Sequence, residues 1–317
     1  MDWQPSAELD TLRARAELLG LIRGFFVERG VLEIETPLLC NAGITDPAIE
    51  PLMVERGSSV AQPRFLQTSP EYAMKRVLAS QGQPIFQLAK AFRDGERGVR
   101  HNPEFTLLEW YRPGFDHHEL MAEVADLLCH CIGWRELHSY SYRHLFHELL
   151  SIDPFTATSA ELQALARAHC DAGAMTGDKD LWLDLLMSHV VEPQLATRGM
   201  CFVYDYPASQ AALAQISEED GVLVGHRFEL YVDGLELANG YLELIDPVEQ
   251  RLRFNHDNAQ RRERGLMERA LDERLLCAME NGLPQCSGVA LGVDRLVMLA
   301  TGHADIRDVL AFDWARA

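Results

Sequence analysis

The stretch of residues 85–112 constrains the fold more than any other part of the sequence. Residues 85–88 form an apolar run that is typical of a buried strand, and bulky apolar and polar side chains alternate in residues 104–111. The pattern predicts an antiparallel hairpin with a long, charged, glycine-containing tip. Such a tip is either a solvated loop or a ligand clamp. Arg93, at the end of the first strand, can hold a carboxylate or a phosphate through two parallel hydrogen bonds.

Length and charge narrow the classes of function. The 317 residues can bury one large core or two modest ones, and 48 acidic residues against 29 basic ones give a net charge of −19. A surface this acidic repels phosphate backbones, which disfavours generic nucleic-acid binding. The seven cysteines show no paired spacing, which favours reduced thiols and a cytoplasmic location. We expect neither a signal peptide nor a membrane span.

Hydrophobic periodicity predicts helices and strands along the whole chain. Helices are expected at residues 6–29, 117–132, 159–169, 180–191 and 247–281. Strands are expected at residues 31–34, 65–68, 201–206, 226–232, 235–244 and 289–293. Residues 133–200 contain no recognisable catalytic or binding residues, and we interpret them as an insertion.

Another helix is expected after residues 65–68. Ser69 is a suitable N-cap, and Pro70 suits the first helical position. Glu71 then lies in the first turn, where a carboxylate complements the helix dipole.

The predicted helix at residues 247–281 carries the densest basic stretch of the chain. Its arginines predict a solvated helix face or, alternatively, a surface for an acidic patch on a protein partner. They are Arg251, Arg253, Arg261, Arg262, Arg264 and Arg269.

Three stretches resemble the signature motifs of class II aminoacyl-tRNA synthetases, and the lysyl enzymes are the members they resemble most. Residues 92–111 resemble motif 2, and residues 287–296, SGVALGVDRL, resemble motif 3. Residues 236–244, ELANGYLEL, resemble the strand that precedes motif 3. The motifs occur in the order of the family, and the resemblance covers about residues 3–316.

The resemblance implies an α+β fold, with an antiparallel sheet of about six strands flanked by helices. It implies a single catalytic domain over residues 1–317. Residues 6–39 combine a helix, a strand and a proline followed by two leucines, and they resemble motif 1, which builds the dimer interface in this family. We therefore expect a homodimer, although an N-terminal helix packed on its own core would show the same spacing.

The family activates an amino acid with ATP and Mg²⁺, and the resemblance implies which residues bind ATP. Arg93 would bridge the attacking carboxylate and the α-phosphate, which combines positioning with charge stabilisation. Arg295, the other catalytic arginine, would bind the triphosphate, and Gly292 would let the nucleotide approach the backbone. The implied ATP-binding residues are Arg93, Asp94, Glu96, His101, Asn102, Phe105, Glu236, Leu237, Gly292 and Arg295.

Glu229 and Glu236 are candidate metal ligands. They lie on strands joined by the tight turn expected at Asp233-Gly234. Opposed carboxylates in a sheet repel one another unless they bind a cation, and an exposed edge pair is the alternative. The resemblance implies that both residues hold Mg²⁺.

The resemblance also implies the residues that bind the amino acid. In the lysyl enzymes, the residues that match Glu243 and Tyr111 grip the terminal ammonium of the substrate, and the match of Glu71 holds its amino group. Glu236 and Glu243 have an odd spacing on one strand, so we expect a bulge at Gly240. The implied substrate-binding residues are Ser69, Pro70, Glu71, Tyr111, Asn239, Glu243 and Ala290.

Three features depart from the lysyl pattern. The acidic residue that follows Arg93 in motif 2 is displaced by one position, to Glu96. Ala290 stands where the lysyl enzymes have glycine, and its methyl group would crowd an amine at Cα but admit one shifted along the substrate. Motif 1 lies at the start of the chain, so we expect no anticodon-binding barrel.

These departures match the truncated lysyl-synthetase paralogues that ligate (R)-β-lysine to a lysine of translation elongation factor P. The resemblance therefore implies adenylation of β-lysine and then amide formation on a protein acceptor, with no tRNA and no membrane partner. One alternative is an enzyme that charges tRNA without an anticodon domain. Another is a catalytically inactive regulatory paralogue, against which the intact Arg93, Glu229, Glu236, Glu243 and Arg295 argue.

Overall fold

The computed structural model describes residues 3–54, 63–173 and 175–317. The helices are α1 (Leu9–Glu28), α2 (Glu71–Gln81), α3 (His117–Ile132), α4 (Tyr142–Leu150), α5 (Ser159–His169), α6 (Lys179–Leu186), α7 (Glu192–Leu195), α8 (Pro247–Glu263), α9 (Glu273–Glu280) and α10 (Val293–Thr301). The strands are β1 (Leu32–Glu33), β2 (Leu39–Cys40), β3 (Met53–Val54), β4 (Arg64–Leu66), β5 (Ile85–Phe92), β6 (Glu104–Pro113), β7 (Leu137–Ser141), β8 (Met200–Pro207), β9 (Ile216–Glu219), β10 (Val222–Val232), β11 (Leu235–Leu242) and β12 (Cys286–Gly292). A π-helical turn, Met187–Val191, separates α6 from α7.

The chain forms two compact units. The first contains residues 1–115, 130–132 and 244–317, and the second contains residues 116–129 and 133–243. That residues 1–317 form a single catalytic domain stays a prediction. Within the described part of the chain, no helix has both the length and the apolar composition that crossing a membrane requires.

Strand β6 is the centre of the main sheet in the first unit. It pairs antiparallel with β5 on one side and with β12 on the other, and β1 joins β5 in parallel. In this register Glu109 lies across from Gln87 on β5 and from Ala290 on β12. The predicted hairpin of residues 85–112 is therefore confirmed, as is the strand that leads into α10.

Helix α1 covers one face of this sheet with aromatic side chains. The ring of Phe26 stacks on Phe86 with centroids 4.5 Å apart and meets Trp110 edge-on at 5.2 Å. All three rings are fully buried and together remove a large apolar area from water. Gly30 has a φ of +66°, the left-handed conformation that ends a helix, and α1 ends at Glu28, within one residue of the end predicted at residue 29.

An ion pair fixes the start of α10 against α1 and β6. Asp294 accepts hydrogen bonds from Arg15 Nη1 at 2.6 Å and from the amide of Thr106 at 2.7 Å. The Asp294 side chain is 3% exposed. These two donors therefore replace the water that its carboxylate loses on burial. Arg295, the next residue, is held in place by the same contacts.

The start of α2 differs by one residue from the sequence prediction. The helix begins at Glu71, so Pro70, with φ −75° and ψ 0°, occupies the N-cap position and not Ser69. The hydroxyl of Ser69 still accepts a hydrogen bond from the amide of Glu71 at 3.0 Å. Ser69 therefore satisfies one of the free amides at the start of the helix, from the position just before the N-cap.

The prediction of one helix over residues 247–281 is wrong. α8 ends at Glu263 and α9 begins at Glu273, and Gly265 between them has a φ of +72°, which a continuing helix does not allow.

The prediction of a solvated basic face on this segment is also wrong in part. Arg261 and Arg269 are 0% and 7% exposed, and both donate to the carboxylate of Glu50. The more exposed arginines bond to glutamates as well, in the pairs Arg251–Glu273, Arg253–Glu249 and Arg262–Glu268. Since these charges are neutralised within the chain, the segment is a poor surface for an acidic protein partner.

The second unit is built on strand β10. This strand pairs antiparallel with β11 and β8, β9 joins β10, and β7 joins β8 in parallel. Asp233 and Gly234 have φ values of +51° and +76°, which confirms the tight turn as the type I′ form that connects two antiparallel strands. The parallel pairs β1–β5 and β7–β8 occur beside the antiparallel pairing that the sequence predicted.

The predicted insertion at residues 133–200 has a hydrophobic core of its own. Trp182, Leu183 and Phe146 of its helices are buried together with Val203 and Tyr231 of the strands. The sequence did not predict β7 or β9, because LHSYS and ISEE alternate too weakly to separate them from loops.

The buried arginine pair gives a test of the packing. In Glu50→Gln, Arg261 and Arg269 lose the carboxylate they share, and we expect the free energy of unfolding to fall by about 2–3 kcal/mol. Glu273→Gln, which removes the partner of the exposed Arg251, should change it by less than about 1 kcal/mol. Urea denaturation followed by circular dichroism measures both. Equal losses in the two variants would contradict the assignment of Glu50 as a structural anchor.

Candidate active site

Glu109 is the centre of a hydrogen-bonded group in the first unit. It is 2% exposed, its Oε2 accepts from Ser69 Oγ at 2.6 Å, and its Oε1 accepts from the Tyr111 hydroxyl at 2.7 Å. Strand alternation places Glu109 and Tyr111 on one face of β6, while Leu108 and Trp110 are buried on the other. A buried carboxylate that is held in a fixed orientation is suited to bind an ammonium group.

Ala290 borders this carboxylate. The register of β12 and β6 places Ala290 across from Glu109 and Gly288 across from Tyr111. Side chains that face one another in this way have Cβ atoms about 4.5–5.5 Å apart. The methyl group that distinguishes this chain from the lysyl pattern therefore lies next to the candidate amine-binding residues.

Arg93 follows the end of β5, and its guanidinium lies over the ring of Phe105, 5.1 Å from the ring centroid. Its Nη1 is 3.5 Å from Glu96, so the displaced acidic residue faces the arginine. Its Nε is buried and has no hydrogen-bond partner among the described residues. A buried guanidinium donor without a partner is prepared to bind an anion.

Arg295 contacts the loop between β5 and β6. Its Nη2 is 2.8 Å from His101 Nε2, and its Nε donates to the carbonyl of Arg100 at 3.4 Å. Burial, and after it the positive charge of Arg295, lowers the pKa of His101. The imidazole therefore stays neutral near pH 7 and can accept the hydrogen bond from Arg295.

Two predicted ATP-binding residues have partners within the protein. The side-chain amide of Asn102 donates to the carbonyl of Glu104 at 2.6 Å and accepts from the backbone amide of Trp314 at 3.0 Å. The backbone amide of Asp94 donates to the carbonyl of Glu50 at 2.7 Å, and its side chain is exposed. The structure thus gives Asn102 a role in holding the loop, independent of any nucleotide.

Gly292 and Glu71 also have other structural neighbours. A Cβ added to Gly292 would lie 3.7 Å from the side chain of Arg295, an ordinary contact, so packing alone does not require glycine there. Glu71 accepts from Lys75 Nζ at 2.7 Å, and the Lys75 side chain is 1% exposed. A substrate amino group at Glu71 would therefore share the carboxylate with a buried lysine.

Glu229 is the centre of a polar group in the second unit. Its Oε2 accepts from the hydroxyls of Tyr206 at 2.7 Å and Tyr231 at 2.5 Å, and its Oε1 accepts from Arg227. Burial, and after it the charge of Glu229, raises the pKa of both tyrosines well above the usual value. Both hydroxyls therefore stay protonated and remain donors to Glu229.

Glu229 and Glu236 line one cavity of about 360 Å³ in this unit, together with Asp184, Glu192 and Arg227. We call it the acidic cavity. Asp184 keeps exposed surface, yet the partial removal of water from its carboxyl raises its pKa to about 6. Four carboxyl groups around one guanidinium favour the binding of a cation.

The prediction that Glu229 and Glu236 oppose each other is wrong. Glu229 pairs with Asn239 and Glu236 with Tyr231. The two-residue turn already sets Glu236 across from Tyr231, two positions away from Glu229 along β10, so the two glutamates cannot face each other in this hairpin. Both carboxylates line the same cavity without direct cross-strand pairing.

The bulge predicted at Gly240 is wrong as well. Gly240 pairs in register with Phe228, and the residue left over at the shift is Leu237, which is 3% exposed. Glu243 lies beyond the end of β11 and is 1% exposed, where it forms an isolated bridge with Ala214. The alternation of side chains along a strand therefore does not determine which way the Glu243 side chain points. On β11 itself, Asn239 Oδ1 is buried without a hydrogen-bond partner among the described residues.

The sequence analysis missed Glu109 and Asp184 as candidate site residues. The available signal was the same for both: an acidic residue that interrupts an apolar run, TLLEWY around Glu109 and LWLDLLM around Asp184. Met187 and Ser188 of the π-helical turn also line the acidic cavity. The sequence gives no periodic signal for such a turn, although these turns are frequent at functional sites.

The fold and these two groups of residues define a member of a known class of proteins. Residues 1–315 match the family model of class II tRNA synthetases of the D, K and N type. The chain belongs to this family, which uses ATP, and its predicted α+β fold is confirmed.

Several relatives have nearly the same length as this chain. It is 49% identical over 316 residues to the elongation factor P–(R)-β-lysine ligase of Mannheimia succiniciproducens. The aligned residues cover 98% of this chain and 97% of the relative. It is 48% identical over 320 residues to the protein of the same name from Pseudoalteromonas translucida, with 99% and 98% covered. The Proteus mirabilis protein of that name is 49% identical over 322 residues, with 100% and 98% covered.

Proposed function

We propose that this chain is an ATP-dependent ligase that activates (R)-β-lysine and transfers it to the ε-amine of a lysine on elongation factor P. The observation that carries the proposal is the buried group of Glu109, Tyr111 and Ser69 beside Ala290. The carboxylate of Glu109 would bind the distal ammonium of the substrate, and the methyl group of Ala290 would crowd an amine at Cα. Relatives that bear the name of such a ligase match over nearly their whole length, which supports the same assignment.

In the activation step, a carboxylate oxygen of β-lysine attacks the α-phosphorus of ATP. A P–O bond forms, the bond to pyrophosphate breaks, and the aminoacyl-adenylate results. Arg93 would neutralise the charge that grows on the α-phosphate, a role supported by its contacts with Phe105 and Glu96 and by the unused donor at its Nε. Arg295, anchored at His101, would bind the triphosphate.

The donors present in the acidic cavity fit a Mg²⁺ ion. Glu236 would be the main ligand, with Glu229 Oε1, which accepts one bond from Arg227 and can hold more than one partner. Mg²⁺ commonly takes one or two carboxylates and completes its shell with water and phosphate oxygens. When bound, the ion would neutralise part of the charge on the triphosphate.

In the transfer step, the unprotonated ε-amine of the acceptor lysine attacks the carbonyl carbon of the adenylate. The amide bond forms as the bond to AMP breaks, and the proton lost by the amine passes to solvent or to a base. The net charge of −19 disfavours tRNA as the acceptor, since its binding depends on several phosphate contacts. Since five of its arginines donate to glutamates, the 247–281 segment is not our candidate for the acceptor surface.

We also propose a homodimer formed through the motif 1 region and a cytoplasmic location. Exposed apolar residues are concentrated in and after α1, a pattern that marks interaction surfaces. They are Leu9, Leu21, Val27, Leu32, Leu38 and Leu39. All seven cysteines are free thiols, which agrees with a reducing compartment.

Direct modification of the acceptor tests the proposed function. Enzyme, MgATP and (R)-β-lysine should add the mass of one β-lysine residue to a single lysine of purified elongation factor P. Total tRNA in place of the factor should yield almost no aminoacyl ester. Charged tRNA without a mass shift on the factor would establish the tRNA-charging alternative. Failure to activate either lysine isomer would support the inactive paralogue.

Glu109 is expected to bind the distal ammonium of the substrate. Glu109→Gln keeps the volume but removes the charge, so kcat/KM for β-lysine should fall by more than tenfold, as expected for the loss of about 2–5 kcal/mol of charge-assisted binding. Glu243→Gln tests the other predicted carboxylate in the same way. Glu104→Gln is the control, because this glutamate lies at the exposed start of the same strand and pairs with Lys90. Wild-type kinetics in Glu109→Gln would remove the residue from the site.

Ala290 is expected to set the preference between the lysine isomers. A methyl group that overpacks a site costs about 1–3 kcal/mol for the ligand that fits poorly. Ala290→Gly should therefore raise adenylate formation from α-lysine relative to β-lysine, measured in single turnovers. Ala89→Gly, a buried alanine on the neighbouring β5, controls for the loosening of the sheet. An unchanged ratio in Ala290→Gly would exclude the methyl group as the discriminator.

A further inference from the structure

We propose that His117, Asp205 and His226 form a binding site for a divalent transition-metal ion of the zinc class. All three belong to the second unit, and one ligand atom from each lies within 4.8 Å of the other two. The proposed adenylation and transfer steps use none of them. The inference therefore stands independently of the proposed function.

The distances between these atoms suit a shared metal ion better than hydrogen bonds. Asp205 Oδ1 is 3.4 Å from His117 Nε2 and 3.6 Å from His226 Nδ1. Hydrogen bonds from nitrogen to oxygen are about 2.7–3.2 Å long, so both separations are too large. Two ligands of a tetrahedral ion with bonds of about 2.0–2.1 Å are about 3.4 Å apart.

The same atoms lack other partners. His117 is 5% exposed, and neither of its ring nitrogens has a hydrogen-bond partner among the described residues. Asp205 Oδ1 and His226 Nδ1 are buried and lack hydrogen-bond partners in the same part of the chain. Buried polar atoms are nearly always satisfied, and three that converge on one point indicate a missing ligand. A cation placed between them would satisfy all three.

The surroundings of His226 prepare its Nδ1 for a metal. Its other ring nitrogen, Nε2, is 2.9 Å from the hydroxyl of Ser217. A hydrogen bond at one ring nitrogen fixes the orientation and the tautomer of a metal-binding histidine. Ser217 therefore plays the part of an orienting partner outside the ligand set.

The backbone brings the three residues together from separate elements. His117 is the first residue of α3, Asp205 lies on β8 and His226 on β10. Gly225 pairs with Tyr206 and Phe228 with Tyr204, so two residues of β10 stand opposite Asp205 alone in a β-bulge. Asp205 has a φ of +58° at this point. A bound ion would tie the start of the helix to both strands.

The ligand types select the ion. Two imidazoles and one carboxylate suit Zn²⁺ and its neighbours, whereas Mg²⁺ and Ca²⁺ prefer oxygen ligands alone. The fourth position would be filled by water or by Glu219, whose Oε1 is 4.0 Å from His226 Nδ1. With Glu219 as a ligand, two carboxylates would balance the charge of the ion.

Metal binding to the purified, chelator-treated chain tests the proposal. Titration calorimetry with ZnCl₂ should give one site per chain, and MgCl₂ should give no heat at this site. Co²⁺ in place of Zn²⁺ should produce visible d–d absorption, and X-ray absorption should detect only nitrogen and oxygen ligands. Sulfur ligands would place the metal at a cysteine and overturn the proposal.

Variants locate the site. His226→Gln and Asp205→Asn should weaken Zn²⁺ binding at least about tenfold, because even the loss of a group that only supports a ligand typically costs about 10–100-fold in metal affinity. His118→Gln should not weaken it, because this neighbouring histidine is outside the ligand set. Equal affinity in all four proteins, or no binding to the wild type, would refute the site. Should a ligand variant fail to fold by circular dichroism, the cobalt and absorption spectra of the wild type decide the question.

Discussion

The burial of Glu109 on the central strand β6 is the constraint on which the first unit depends. The strand has neighbours on both sides, so its side chains alternate between an apolar core, with Leu108 and Trp110, and a polar face. A carboxylate on that polar face is costly unless donors surround it. Ser69 and Tyr111 provide these donors and in doing so fix the start of α2 relative to the strand.

Carboxylates are paired with arginines in both units. Arg15 binds Asp294, Arg227 binds Glu229, and Arg261 binds Glu50. In a chain with a net charge of −19, many of its basic groups are thus committed to structure. Arg93 is paired more weakly, since its Nη1 is 3.5 Å from Glu96, and its Nε is buried without a hydrogen-bond partner in the described part of the chain, which makes it a candidate for binding an anion.

Much of the fold followed from local patterns in the sequence. The hairpin of residues 85–112, the end of α1 near residue 29 and the turn at Asp233-Gly234 were predicted because hydrophobic periodicity and turn chemistry are local properties. The helix at residues 247–281 failed because a glycine with positive φ interrupts a sequence that otherwise favours a helix. The pairing of Arg261 and Arg269 with Glu50 was invisible because more than 200 residues separate the partners.

The site was only partly predictable, for the same reason. Motif resemblance pointed to Arg93, Tyr111 and Ala290, but the contact between Ala290 and Glu109 is a matter of register between β6 and β12. The expected pairing of Glu229 and Glu236 failed because the two-residue turn sets Glu236 across from Tyr231. The cluster of His117, Asp205 and His226 comes from three distant segments and carries no spacing signal at all.

Amino-acid-dependent exchange of labelled pyrophosphate into ATP tests the central claim most directly, because it reports adenylate formation without any acceptor. With the purified chain and MgATP, (R)-β-lysine should support exchange at a much higher kcat/KM than α-lysine. Faster exchange with α-lysine, or none with either isomer, would contradict the account.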